Sequence, residues 1–353
     1  MAFITRSLAS LLLIGGLAAC SPQDPQQATV ANLAEHVLLP AYQRWDRANQ
    51  DLRDSARAFC AGEQSLTEAR QRFTTTQSAW AALQPLAVGP LSEGNRAWQV
   101  QFWPDKKNLV GRQIGQLIQR NPQVDEAALA RASVVVQGLS AYEYLLYDES
   151  LDLDDAGQRQ RYCPLLQAIG GHQAGLSGEV LGLWQAEQGM LAQLSHTPSE
   201  RFADSGEALA EILRTQVSAL DGLKKKLGTP MGRQTRGVPQ PYQAEAWRSK
   251  ASLASLAAAL ASAEQIWRGS DEKGVRQLVE DSALIEKIDA AYADVRSRLA
   301  AQERPLGELL ESAEGREALD GLYQSLDRLH RLHEGELARA LQIPLGFNAH
   351  DGD

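Results

Sequence analysis

The chain has 353 residues, 44% of them apolar, and carries 35 lysines and arginines against 44 aspartates and glutamates, for a formal net charge of −9. The cations are scattered among the acids, which argues against nucleic acid and anionic membrane surfaces as partners. Removing an N-terminal export segment leaves about 330 residues, enough for one large or two ordinary domains.

That segment has a basic start at Arg6, an apolar run over residues 8–17 and then Leu17-Ala18-Ala19-Cys20. The run is too short to span a bilayer comfortably, and no later apolar run is long enough. The tetrapeptide resembles the lipobox of bacterial lipoproteins, which implies cleavage before Cys20 and lipid on its sulfur. The alternative is an ordinary secretory signal with a chance cysteine. Ser21, rather than aspartate, follows the cysteine and by the same resemblance favours the outer membrane. The expectation is a signal peptide over 1–19, a lipidated polar tether over 20–27, and attachment to the membrane through the lipid alone. Cys60 and Cys163 remain; in an oxidising compartment they suggest a disulfide, with two separate buried thiols as the alternative.

From there almost every stretch has helical period. Leu38, Tyr42, Trp45, Leu52, Ala56 and Phe59 mark a helix over 28–61. Ser65 and Glu68 form a capping box that opens a second, carrying Leu66, Phe73, Trp80 and Leu83. Residues 85–105 hold Pro90, Gly94 and Pro104 and read as loop. A short helix to about residue 120 comes next, then one over 125–148 with Asp125 as cap. Its end, VVVQGLSAYEYLLYD over 134–148, places Leu139, Tyr142 and Leu146 on one face. Gly138 falls in mid-helix there, which suggests a packing or site reason. Glu143 is the one carboxylate inside the apolar run: it is paired, faces a cavity, or lies on the solvent face.

Residues 149–157 are an acidic turn without the spacing of an EF-hand loop. Helices follow over 158–194, with Pro164 and Gly170-Gly171 as kink points, and over 200–227. The stretch 228–241 is a Pro/Gly loop, and 242–269 is an alanine- and leucine-rich helix. Helices over 272–281, 284–301 and 306–341, the last broken at Gly315, precede an irregular tail. No strand signal is sustained. The fold class is therefore all-α, with two packed helical bundles over 28–197 and 198–353.

General catalytic motifs are poorly served. Ser140 lies on a helix with no nucleophile elbow. His333-Glu334 begins like a zincin helix, but Leu337 stands where the second histidine belongs. His330, His333 and Glu334 share a helical face and are a weak metal candidate; a solvated face is the default.

Three blocks carry a family resemblance: Gln101-Phe-Trp-Pro-Asp105, Pro241-Tyr-Gln-Ala-Glu-Ala-Trp-Arg-Ser249 and Leu345-Gly-Phe-Asn-Ala-His-Asp-Gly-Asp353. Together with the lipobox they resemble the imelysin family of bacterial envelope proteins. The resemblance implies two packed helical bundles, a link to iron uptake with envelope partners, and founding members classed as metallopeptidases. The family signature, G-x-H-x-x-E on a helix, maps to Gly138, Ser140 and Glu143, so a serine replaces the histidine. Residues three apart on a helix converge on one ligand, and serine is a weak transition-metal ligand. By resemblance the ligand site is Gly138, Ser140 and Glu143, bordered by Trp103-Pro104, Trp247-Arg248, Asn348 and Asp351. Arg248 is placed to neutralise Glu143 or to meet an acidic ligand. The expectation is a non-catalytic binding or accessory protein with, at most, a metal ion (iron, zinc or calcium) as cofactor. The alternatives are a metallopeptidase and a structural scaffold.

Overall fold

A computed structural model describes residues 24–344. Cys20, Asn348 and Asp351 lie outside the described residues. Helices α1 (Pro25–Leu33) and α2 (Leu39–Ala61) are joined by a π-helical turn at Ala34–Leu38. Then come α3 (Leu66–Leu83), α4 (Arg96–Val100), α5 (Leu109–Arg120), α6 (Glu126–Ala130) and α7 (Leu139–Tyr147). After α8 (Ala156–Gln185) and α9 (Met190–Ser195) follow α10 (Ser205–Gly228), α11 (Ser252–Arg268), α12 (Ser282–Ala300), α13 (Leu306–Glu311) and α14 (Ala313–Arg331). No strand occurs among the described residues. The all-α expectation holds.

Helix ends follow the side chains. The Ser65–Glu68 capping box opens α3, and Asp125, Asp155, Asp204 and Asp281 each accept a backbone N–H at the start of a helix. In the first half α2 lies against α8 and α3; in the second, α10 and α12 pack on α14 and α11. The halves are joined by α3 on α11 and by α1 on α10. One apolar cluster runs from Val30 to Ile343, so both halves bury side chains in a shared core. Cys60 and Cys163 are bonded, with Cα atoms 5.7 Å apart and 103 residues between them in sequence. That link ties the end of α2 to the second turn of α8. In the chain-entropy model a loop of that size contributes about 4–5 kcal/mol.

Several elements differ from expectation. The helix expected over 272–281 is only a short 3-10 turn at Val275–Leu278, and the one expected over 158–194 is split into α8 and α9. Helix α4 stands inside the loop expected over 85–105. Helix begins at Pro25, capped by Asp24, so the residues expected as tether up to 27 already belong to the fold. Helix α8 runs unbroken through Pro164 and Gly170-Gly171. Residues 244–251 are not helical: Ala246 and Lys250 have φ of 50° and 58°, and α11 starts only at Ser252. Intrinsic helix propensity there yields to the contacts that this connection makes. The last long helix breaks at Ser312, which caps Gly315 N–H. Gly315 is required three residues later because a Cβ would lie 2.8 Å from the Leu309 carbonyl carbon.

Candidate functional site

The site is organised by an interruption of the helix expected over 125–148. After α6, Gln137 donates its side-chain amide to the carbonyls of Leu129, Ala130 and Ala132, which closes the chain into a tight turn. Gly138 is therefore the N-cap of α7, in extended conformation, and not a mid-helix residue. A Cβ at Gly138 would lie 2.6 Å from the Gln99 carbonyl oxygen and closer still to that of Val100. The missing side chain lets the Gln99–Phe102 backbone run directly over the first turn of α7. Ser140, in that turn, donates its hydroxyl to the Phe102 carbonyl at 2.8 Å.

The same crossing sets the next residues in place. The Trp103–Pro104 peptide is cis, and the Trp103 indole N–H donates to the Gln243 carbonyl at 3.0 Å. Asp105 accepts from the N–H groups of Leu109 and Val110, at 2.7 and 3.1 Å, and so starts α5. The left-handed residues Ala246 and Lys250 bend the connection before α11 so that Ser249 faces α7. Left-handed non-glycine residues are uncommon and tend to persist where surrounding contacts over-determine them.

Glu143 is 4% exposed. Its Oε1 accepts from Ser249 N–H at 2.8 Å and from Ser249 Oγ–H at 2.7 Å. Its Oε2 accepts no hydrogen bond from the described residues. Burial raises the Glu143 pKa, and the Ser249 donors and the Arg248 charge only partly offset this. Arg248 does not bond Glu143. It donates to Asp148 Oδ2 at 2.8 Å and to Asn108 Oδ1 at 3.1 Å, and its guanidinium lies over the rings of Trp247 and Tyr144, at 4.3 and 5.0 Å. The expected neutralisation of Glu143 by Arg248 is thus corrected: Asp148 lies at the end of α7 and offers a carboxylate that reaches the surface. Burial raises the Asp148 pKa, but hydrogen bonds from Ser150 and Arg248 outweigh it and keep the group below its ordinary value.

Trp103, Ser140, Glu143, Ala246, Trp247 and Arg248 line one chamber of about 20 Å³. That is room for one water-sized species. Of the residues expected at the site, Trp103, Ser140, Glu143, Trp247 and Arg248 therefore meet, with Pro104 in the adjoining turn and Gly138 beneath it. Sequence reasoning missed a neighbouring buried pair, Lys226 and Glu245, at 2.6 Å. Lys226 also sits 5.7 Å from the Trp103 ring, and burial lowers its pKa against the pull of Glu245. Glu245 stood in the quoted block, but nothing there identified a lysine on α10 as its partner.

His330 and His333 lie elsewhere, between α14 and its neighbours, and neither is solvated. His333 is buried, with Nδ1 2.9 Å from the Leu329 carbonyl and Nε2 3.1 Å from Tyr292 Oη. Burial lowers its pKa to about 4, so it is neutral. The carbonyl requires Nδ1 to carry the proton, which leaves Nε2 as an acceptor for the Tyr292 hydroxyl, whose one proton it shares with the Ala263 carbonyl at 3.2 Å. His330 is also buried, 3.4 Å from Lys224 Nζ. Both were placed on a solvated face by default; the apolar stripe of α14 and of the π-helical turn Leu332–Leu337 that continues it turns them inward instead.

The residues present do not fit a catalytic zinc centre, which needs about three protein ligands. Glu143 supplies one carboxylate oxygen, the Ser140 hydroxyl donates to Phe102, and no group of three His, Cys, Asp or Glu side chains converges among the described residues. The chamber volume suits one water-sized species beside Glu143.

A family model described as Imelysin, peptidase family M75, matches residues 38–333. An imelysin-like protein from Psychrobacter arcticum 273-4 has a similar structure, with a TM-score of 0.77, 22% identity, and coverage of 92% of this chain and 97% of that one. A protein from Parabacteroides distasonis ATCC 8503, described as an iron-regulated protein A precursor, gives a TM-score of 0.70 and 16% identity over 90% of this chain and 97% of that one. No curated protein matches.

Proposed function

The chain belongs to the imelysin family, and from that premise we propose that it is a lipid-anchored envelope protein in iron-related physiology that binds a guest without cleaving it. The single observation that carries the reading is the Glu143 carboxylate, buried with one oxygen held by Ser249, its side chain lining a chamber of one-water size. A purely structural carboxylate has its lone pairs satisfied by the fold. Here one oxygen is left over. Support for the iron link is the description of the Parabacteroides protein, and support for the anchor is the likeness of Leu17-Ala-Ala-Cys20 to a lipobox, with Ser21 after it favouring the outer membrane. Ser140 in place of the signature histidine speaks against metal-dependent proteolysis, because a hydroxyl that stays protonated is a poor zinc ligand.

Calorimetric titration of the mature protein with ferrous, zinc and calcium ions, alongside a peptide-hydrolysis assay, tests this. The expected result is a one-to-one site for an oxygen-preferring ion, removed by Glu143→Gln, with no hydrolysis in any metal-loaded form. Stoichiometric zinc with metal-dependent cleavage would establish the metallopeptidase reading instead. No binding of any ion would leave a scaffold.

A further inference from the structure

Beside the chamber, and sharing Asp105, Tyr242, Trp247 and Arg248 with it, lies a second cleft of about 420 Å³ also lined by Lys106, Lys107, Asn108 and Asp148. This volume is within the ~300–1,000 Å³ range of small-molecule sites. Three cations converge there in a chain whose net charge is −9. Both carboxylates are already engaged, Asp105 by the α5 N–H groups and Asp148 by Arg248 and Ser150. Lys106 and Lys107 are exposed and form no ion pair with the described residues. Arg248 is fixed before any ligand arrives: its side chain is 7% exposed, stacked between Tyr144 and Trp247, and tied to Asp148 and Asn108. Two of its five N–H donors are used in those bonds. Tyr242, 69% exposed, adds a phenol and an aromatic edge over Trp247.

A fixed guanidinium beside two exposed ammonium groups is an arrangement that recognises a negatively charged oxygen cluster, the planar fork setting orientation and the lysines adding charge. We infer that this cleft binds a small multivalent oxyanion, a polycarboxylate or a phosphate. The inference does not rest on the Glu143 reading, since none of the cleft's cations bonds Glu143.

The test is titration of metal-free mature protein with citrate and, separately, with inorganic phosphate, at low and at physiological ionic strength, followed by heat and by tryptophan emission. Glycerol serves as the neutral control. The expected result is one-to-one binding of at least one anion that weakens with salt and falls about tenfold in the Lys106→Gln/Lys107→Gln double variant. Both lysines are exposed, so that variant folds. Citrate alone binding would name carboxylates as the class, and phosphate alone would name phosphates. Lys250→Gln, whose ammonium pairs with Glu308 away from the cleft, leaves the affinity unchanged. The inference is overturned if neither anion binds, if the double lysine variant binds like the parent, or if Lys250→Gln weakens binding equally. Because no metal is present, neither this result nor the ion titration of the chamber decides the other.

Discussion

Glu143 and His333 are both ionisable, both buried and both on helices, yet they differ in what the fold leaves over. His333 has each ring nitrogen matched by a protein group, Leu329 carbonyl on one side and Tyr292 hydroxyl on the other, with Trp267 and Tyr292 edge-on to its ring. Glu143 has one oxygen bonded twice, the other without a hydrogen bond from the described residues, and its side chain lines the chamber. A fully satisfied buried polar group fixes the packing of its surroundings; a half-satisfied one is costly unless a guest completes it. The first pattern is structural, and the second is the pattern of a site.

The comparison breaks most sharply at the backbone. Gly138→Ala drives a methyl group into the Gln99 and Val100 carbonyls, which are main chain and cannot rotate away. It should destabilise by at least about 3 kcal/mol and displace the Gln99–Trp103 crossing that walls the chamber. Gly335→Ala, near His333, meets nothing within 4 Å and should be close to neutral. Urea unfolding of the two variants measures the contrast. Equal effects would mean that the α7 N-terminus tolerates movement and the chamber is not preset.

The pH dependence separates the two groups next. His333 titrates near 6.5 when unfolded and about 4 in the fold, so the unfolded chain binds the proton more readily. Its contribution is fully present above pH 6.5 and is lost as pH falls toward 4, which amounts to roughly 3 kcal/mol. His333→Gln should therefore show a shallower loss of stability over that window than the parent. A parallel loss would mean that the ring is already hydrated or charged in the fold.

These contrasts were unevenly legible in the sequence. The helices were readable because Tyr42, Trp45, Leu52 and Phe59 repeat at helical spacing, and because Ser65, Asp125 and Asp204 mark helix starts. The two cysteines were readable as a pair from their number and compartment. The break at Gly138 was not, since it depends on Val100 crossing from a distant segment, and helical period continues through it. The same holds for 244–251, whose alanines favour helix until Ser249 is needed by Glu143. Ser140 and Glu143 were identified by resemblance; the Ser249 that bonds Glu143 lies 106 residues away and the Asp148 that bonds Arg248 lies 100 residues away, where local pattern carries no information.

The smallest expected change tests the central claim most directly. Glu143→Gln keeps an acceptor for both Ser249 donors and removes only the buried charge, and Arg248 stays paired with Asp148. A raised carboxyl pKa means that the folded chain holds the proton more tightly, so ionised Glu143 lowers stability once the pH exceeds its ordinary value of about 4.5. Thermal melts of parent and variant at neutral pH and at about pH 4 should show Glu143→Gln as stable as the parent or more so when neutral, with the advantage gone in acid. A loss of about 3–5 kcal/mol at neutral pH would contradict the account, because it would make Glu143 one half of a buried structural ion pair.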